Sequence, residues 1–242
     1  MELKDLNLSG ASKVTGGEYR NVKISGASEI SSDIICDKMD ISGAITVQGN
    51  IKATSCKVSG ACQINGGISS TDLKISGGSK IKGNIEGKNI SIAGATKVEG
   101  SIKADIIKLA GGVSVGMDME CEEFYLDGSV RSKGTVNCEK CEINIYADSE
   151  IEELVGGTIR IHKGYQLRNS WAGIQSFISK IKGYIRLKTI EGDDVYLENT
   201  ICDIVRGTNV VIGPDCKIRC VEYSNKLDIH DTSTVEEKVA IS

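Results

Sequence analysis

The chain has 242 residues, of which 40% are hydrophobic and 26% are charged, and its 28 glycines contrast with a single proline. This composition excludes disordered and collagen-like proteins. The formal net charge of -4 supplies no basic surface of the kind that nucleic acid requires, so we expect no nucleic-acid partner.

The N-terminal segment MELKDLNLSGASKV has neither the basic region nor the apolar run of a secretory signal. Elsewhere, no apolar stretch is long enough to span a bilayer. We therefore expect a cytoplasmic protein. In that compartment the nine cysteines are expected to be free thiols.

From residue 22 onwards, glycine and apolar residues recur at every seventeenth position. One glycine series is Gly26, Gly43, Gly60, Gly77, Gly94, Gly111 and Gly128, and a second is Gly49, Gly66, Gly83, Gly100 and Gly134, with Met117 in the expected place of a glycine. Each repeat also carries three pairs of inward positions, of which Val22 and Ile24, Ser28 and Ile30, and Ile34 and Cys36 are the first. Each pair alternates with outward residues as in a strand, and the glycines mark corners. The pattern predicts an all-β fold, a single-stranded, three-sided β-helix (β-solenoid) with about 17 residues per coil.

The repeat also sets the expected domain boundaries. The first coil starts near Leu6 and Leu8, with Gly10 and Val14 one residue short of the period, and regular coils occupy residues 1–162. Further coils follow at 184–238, and a short tail at 239–242. In this second part, Ile161, Val195, Ile212 and Ile229 are expected to share one grid with the same period, and Tyr184, Ile201, Ile218 and Val235 another. We expect one elongated domain of about 13 coils.

Residues 163–183 interrupt the repeat with a basic, amphipathic insert. Residues 163–182 read KGYQLRNSWAGIQSFISKIK, with four basic residues and no acidic one. The candidate contact residues are Trp171, Ile174, Phe177, Ile178 and Ile181 at helical spacing, together with Lys180 and Lys182. Two interpretations stay open: a helix that contacts anionic lipid or a partner, or a loop that packs its apolar side on the solenoid.

The residues with chemical potential are expected to be structural. Seven cysteines fall in inward columns, where a thiol packs like a small hydrophobic group, namely Cys36, Cys56, Cys62, Cys121, Cys138, Cys141 and Cys216. This accounts for the spacing of Cys138 and Cys141 better than a zinc site does, and it leaves Cys202 and Cys220 unassigned. His162 and His230 are expected to point outward, and no nucleophile is marked beside either. We therefore predict no catalytic residue, no metal and no cofactor, and a protein that is not an enzyme.

The two terminal coils are the candidate functional sites. A solenoid leaves unpaired backbone groups at both ends, and no covering helix is apparent in the sequence. The apolar residues at these polymerisation ends are Leu3, Leu6 and Leu8 at one, and Leu227, Ile229 and Val235 at the other. Two interpretations stay open for the second end: the segment DTSTVEEKVAIS folds over the last coil, or the ends pair with the ends of other molecules, which is the outcome we expect.

Two sets of residues resemble the bactofilins, a family of bacterial polymer-forming cytoskeletal proteins. The corners of ISGA, INGG and IKGNI type are similar to those of the family. The segments VGGTIRIHKG and EGDDVYLENTICDIVRGTNVVIGPDCKIRCVEY resemble its longer Gram-positive members. The resemblance covers nearly the whole chain apart from 163–182.

The resemblance implies a right-handed β-helix that stacks end to end, without nucleotide, into apolar filaments. Such filaments often lie under the cell membrane as scaffolds for cell-shape, envelope or motility proteins. The implied partners are the protein itself, a related paralogue and the anionic inner face of the membrane. The alternative is a monomeric or trimeric β-helix that acts as a binding protein or as an acyltransferase-like enzyme, although acyltransferases of this type use a coil one residue longer and a catalytic histidine.

Overall fold

The structure is a computed structural model that describes residues 3–164 and 183–241. Within these residues all regular secondary structure is β-strand. The strands are β1 (Leu6–Ser9), β2 (Ser12–Val14), β3 (Gly17–Ile30), β4 (Ile34–Val47), β5 (Ile51–Ile64), β6 (Ile68–Ile81), β7 (Ile85–Val98), β8 (Ile102–Lys103), β9 (Ile106–Val115), β10 (Met119–Ile145), β11 (Ser149–Lys163), β12 (Ile185–Leu197), β13 (Thr200–Ile212), β14 (Lys217–Ile229) and β15 (Thr234–Ala240).

The chain divides into two compact units, with the boundary inside β10. Unit 1 is Met1–Cys121 and unit 2 is Glu122–Ser242. The fold is a parallel β-solenoid of about 13 turns, as the repeat predicts.

In unit 1 each strand pairs in parallel with the equivalent segment of the next coil, so that Ile34 lies beside Ile51 and Ile51 beside Ile68. Burial alternates along each coil in three pairs of positions. In β4 these pairs are Ile34 and Cys36, Met39 and Ile41, and Ile45 and Val47, all buried. The three predicted inward pairs per repeat are therefore confirmed, and columns of identical positions form the core.

The corner glycines hold a backbone conformation that other residues rarely adopt. From Gly26 to Gly128, all seven glycines of the first series have φ between 93° and 154°. The coils also approach closely at this corner: a Cβ on Gly43 would lie 2.3 Å from the carbonyl oxygen of Gly26. The predicted corner role is confirmed, and it has two causes, backbone conformation and the lack of room for a side chain.

A row of acidic and amide side chains stabilises a second corner of unit 1. Asp33 Oδ1 accepts a hydrogen bond from the backbone N–H of Asn50 at 2.7 Å, and Asn50 Oδ1 accepts one from Gly67 at 2.8 Å. Asn84 Oδ1 accepts one from the N–H of Ser101 at 3.1 Å. Each side chain thus accepts a hydrogen bond from a backbone N–H of the following coil, at a turn where the strands do not pair with each other.

The first coil is one residue shorter than the others, as predicted. Leu6 pairs with Val22 and Leu8 with Ile24, and Val14 pairs with Ile30, so each offset is one position short of the usual spacing. The coil is shortened in a turn and not within its strands, so the inward columns continue unbroken into the first coil of unit 1.

Unit 2 keeps the columns but changes the spacing. In one column Ile143 pairs with Ile161, Ile161 with Leu197, Leu197 with Ile212, and Ile212 with Ile229. The successive steps are eighteen, thirty-six, fifteen and seventeen positions. The coils of unit 2 are therefore defined by the hydrogen-bonded pairing of their strands and not by a constant number of residues per coil.

The uniform grid predicted for this part holds for Ile212 beside Ile229 and for Ile218 beside Val235, but it is wrong for Val195 and Ile201. Val195 stacks between Ile159 and Val210, and Ile201 pairs with Lys217 rather than with Ile218. The shortest coil closes through a tight turn at Asn199, whose φ is 47°, and register shifts at other places change the count again.

Candidate functional site

The first coil leaves its inward column partly uncovered. Val22 and Ile24 are 1% and 0% exposed because Leu6 and Leu8 cover them, but Leu6 and Leu8 are themselves only half-buried. Leu3 is 40% exposed. Among the described residues β1 has β3 as its one partner, so its other edge carries unpaired backbone groups.

The last coil of unit 2 is uncovered in the same way. Leu227 and Ile229 are half-buried, although Val210 and Ile212, directly beneath them, are fully buried. Val235 in β15 is also half-buried. Within the described residues β15 pairs with β14 alone, and its outer edge is open.

Each predicted polymerisation residue therefore lies on a coil with one open side. Apolar side chains and strand edges that are uncovered together form a surface that another strand can complete. This arrangement can support association of a strand edge with a strand edge.

Sequence reasoning missed a cluster of polar side chains in unit 2 centred on Glu198. Glu198 is 8% exposed, and its Oε1 accepts a hydrogen bond from the Tyr196 hydroxyl at 2.6 Å while its Oε2 accepts one from the backbone N–H of Lys163 at 2.9 Å. His162 stacks on Tyr196 with 5.1 Å between ring centroids. Its Nε2 lies 3.7 Å from a carboxylate oxygen of Glu142, and its Nδ1 lies 4.0 Å from Glu198.

Hydrogen bonds from this cluster and from neighbouring residues also hold the backbone at the two ends of the insert. Asn199 Nδ2 donates a hydrogen bond to the carbonyl of Gly183 at 3.2 Å, and the N–H of Tyr184 donates to Asp148 at 3.1 Å. Buried Glu198 and Asn199 thus bind the backbone on the two sides of the insert. The sequence carried only a weak signal for this role, because in the Glu198-Asn199-Thr200 stretch it is Thr200 that lies beside an apolar residue, Ile185, and the uniform grid placed the stretch out of register.

The candidate contact residues of the insert lie outside the described residues. These are Trp171, Ile174, Phe177, Ile178, Lys180, Ile181 and Lys182. Their anchoring points at Lys163 and Gly183 belong to unit 2.

All nine cysteines are buried. The packing role is confirmed for the seven cysteines predicted to point inward, and Cys202 and Cys220 share it. Burial raises the pKa of the Cys56, Cys62 and Cys202 thiols to about 12 each. Such thiols stay protonated near neutral pH and are poor nucleophiles.

Both histidines point outward as predicted, His230 being exposed and His162 half-buried. In residues 3–164 and 183–241, no group of three or more metal-ligating side chains is placed to hold an ion. No helix in those residues is long and apolar enough to cross a membrane.

Comparison with known proteins points to a polymer-forming family. Residues 4–86 match the bactofilin family, described as polymer-forming cytoskeletal. Two proteins of Bacillus subtilis strain 168 are similar. Uncharacterised protein YhbF is 35% identical over 109 residues, which cover 45% of this chain and 42% of the relative. Uncharacterised protein YhbE is 49% identical over 47 residues, which cover 19% of this chain and 20% of the relative.

The matched regions thus span less than half the length of either relative. No solved structure matches the chain significantly. The family match covers the coils from the first strand to the start of β7, where the spacing and the corner glycines are most regular. The resemblance predicted from those corners is therefore confirmed by a family match over residues 4–86.

Proposed function

We propose that this protein is a structural scaffold that polymerises without nucleotide by stacking the ends of its β-solenoid. The bactofilin match and the solenoid fold support a structural scaffold role. The observation that carries the proposal is the contrast within single columns. Ile24 and Ile212 are fully buried inside the stack, whereas Leu8 and Ile229 at the two ends are half-buried.

The driving force is the same as the one that stacks coils within the chain. Complete burial of a leucine or isoleucine stabilises by about 1.5–3 kcal/mol, and the terminal residues have part of that still available. The open edges of β1 and β15 add backbone hydrogen bonds once another strand is present. Because neither contribution depends on a bound nucleotide, assembly depends on protein concentration alone.

The polymerisation residues in this proposal are Leu3, Leu6 and Leu8 at one end and Leu227, Ile229 and Val235 at the other. Negative-stain electron microscopy of the purified protein without nucleotide tests it. Wild-type protein should form filaments, and the double variant Leu6→Arg, Ile229→Arg should form none, because a charge at each end opposes burial. Met117→Arg is the matched control, since Met117 is 58% exposed on a side turn of unit 1.

A monomeric wild-type protein at all concentrations would refute the proposal. Filaments that persist unchanged in the double variant would refute the assignment of the ends. Circular dichroism of each variant establishes that the β-solenoid is retained.

The scaffold is proposed to work in the cytoplasm, with the insert as its contact to the inner face of the membrane. Support comes from the insert's composition and from its attachment to unit 2 through Glu198 and Asn199 at its two sides. Co-sedimentation with anionic vesicles tests this. The wild-type protein should co-sediment and Trp171→Glu, Phe177→Glu should not, whereas absence of wild-type binding would remove the membrane role.

A further inference from the structure

One side of unit 1 carries a row of lysines along successive coils. In the outward row that separates the first two inward columns, Lys23 lies beside Asp40, Asp40 beside Lys57, and Lys57 beside Lys74. The row continues through Ser91 to Lys108. These lysines are exposed, and neighbours in adjoining coils are separated by the interstrand spacing of about 4.8 Å.

We define the basic face by the same six positions of each coil, residues 20–25, 37–42, 54–59, 71–76, 88–93 and 105–110. It holds seven basic and four acidic residues, a net charge of +3 in a chain of net charge -4. Lys38 neutralises Asp40 in an ion pair at 3.1 Å. Lys23, Lys57 and Lys74 have no ion-pair partner among the described residues. Arg20 is paired at 3.0 Å with Asp5, which lies outside the basic face, so a net charge of +2 remains uncompensated.

The basic face is also flat enough for close approach. The outward row next to the lysines is Ser25, Ser42, Ser59, Ser76, Ala93 and Ala110. Beyond it lie the corner glycines. In this row and at the glycines, the side chains are too small to hold a partner away from the lysine ammonium groups.

The matching positions of unit 2 have the opposite charge. These positions, in hydrogen-bonded register within that unit, are residues 122–127, 139–144, 157–162, 193–198, 208–213 and 225–230, which we call the acidic face. It contains nine acidic and three basic residues, a net charge of -6 with histidine neutral. Glu122 and Glu139 are exposed and form no ion pair among the described residues.

We propose that the basic face of unit 1 is a docking surface for the acidic face of unit 2 in a second copy of this chain. Complementary charges of +3 and -6 favour this partner, and each copy offers both surfaces, so that two copies can pair side by side. This lateral contact is separate from the stacking of ends, and its test uses different residues. Its effect on a scaffold is to join filaments into bundles.

The contact depends on ionic strength because its charges, apart from that of buried Glu198, are at least partly exposed. Screening acts over about 10 Å at 0.1 M salt and about 3 Å at 1 M. Lateral pairing should therefore weaken steeply with salt, while end-to-end stacking, which buries apolar side chains, should persist. This difference allows the two contacts to be measured separately.

Sedimentation velocity of the end-blocked variant Leu6→Arg, Ile229→Arg isolates the lateral contact. At about 0.05 M salt we expect a dimer, which dissociates at about 0.5 M. Adding Lys57→Glu, Lys74→Glu should weaken dimerisation by about tenfold or more, as should Glu122→Lys, Glu139→Lys. Combining both reversals in one chain should restore the dimer, since complementarity returns with the signs exchanged.

The matched control is Lys52→Glu, Lys82→Glu, which alters the net charge by the same amount as Lys57→Glu, Lys74→Glu but at two exposed lysines outside the basic face. It should dimerise like the end-blocked parent. The proposal is overturned if the parent is monomeric at low salt, if the control loses the dimer equally, or if the combined reversal fails to restore it. It is also overturned if the lysine reversal abolishes only binding to anionic vesicles. None of these results affects filament formation by the wild-type ends.

Discussion

Gly60 offers the sharpest test of the corner geometry. Its φ is 125°, and a Cβ at this position would lie 2.3 Å from the carbonyl oxygen of Gly43 in the preceding coil. A left-handed conformation costs an L-residue about 1–2 kcal/mol. Moving a packed backbone carbonyl aside adds about 1–3 kcal/mol, as in other overpacked sites. We therefore expect Gly60→Ala to lower the free energy of unfolding by about 2–5 kcal/mol.

The matched control is Gly78→Ala, one residue beyond the next corner glycine. A Cβ on Gly78 meets nothing within 4 Å, and the equivalent position in neighbouring coils is Ala61 or Ala95. Because alanine narrows the unfolded ensemble, this substitution should be neutral or stabilising by about 0.4–1 kcal/mol.

Thermal unfolding followed by circular dichroism compares the two variants. For a chain of this size, about 1 kcal/mol shifts Tm by about 2–4 °C, so Gly60→Ala should melt at least about 4 °C below wild type. Equal melting temperatures for Gly60→Ala and Gly78→Ala would refute the argument that close backbone contact between coils requires glycine at this corner.

Three further outcomes follow from the structure. Asn50→Ala removes the acceptor for the Gly67 N–H and should lower the free energy of unfolding by about 1–2 kcal/mol in denaturant titration. The isosteric aspartate should recover little of this at neutral pH, because the Asn50 amide donates to Asp33 and a carboxylate in its place would repel that acid. Glu198→Ala leaves the N–H of Lys163 without its partner and should increase hydrogen exchange at that amide, and unchanged exchange would contradict the anchor. Burial raises the pKa of the Cys56 thiol from 9.0 to about 12, so between these pH values the native state keeps a proton that the unfolded state loses. The free energy of unfolding should therefore fall as the pH rises from 9 towards 12. At neutral pH, a thiol reagent should label the wild-type protein only after unfolding.

The regular part of the solenoid could be predicted because one physical requirement repeats there. Each coil must place apolar residues such as Ile24 and Ile30 inward and must turn at a glycine such as Gly26, and identical coils give identical spacings. The one-residue deficit of the first coil was visible for the same reason, since Leu6, Leu8 and Val14 keep their mutual spacing.

Unit 2 could not be predicted to the same accuracy because its coils hold their columns through hydrogen-bond register while their turns vary in length. A turn at Asn199 removes residues without moving Leu197 or Ile212 out of the column. Counting along the sequence therefore displaced Val195 and Ile201. It also hid Glu198, whose burial depends on donors supplied by Tyr196 and by the backbone of Lys163.

The polymerisation ends were accessible to sequence reasoning, whereas the charge pattern became apparent only with the register. The ends follow from the first and last apolar residues of the repeat. The basic and acidic faces require knowledge of which outward positions share a side, and that depends on the unequal steps between the coils of unit 2.

Cryo-electron microscopy of the wild-type protein assembled without nucleotide tests the central claim most directly. The account predicts filaments in which the strand spacing of about 4.8 Å continues across each junction, with β1 or β15 as the strand on either side. A protein that stays monomeric, or filaments whose junctions leave Leu8 and Ile229 exposed to solvent, would contradict it.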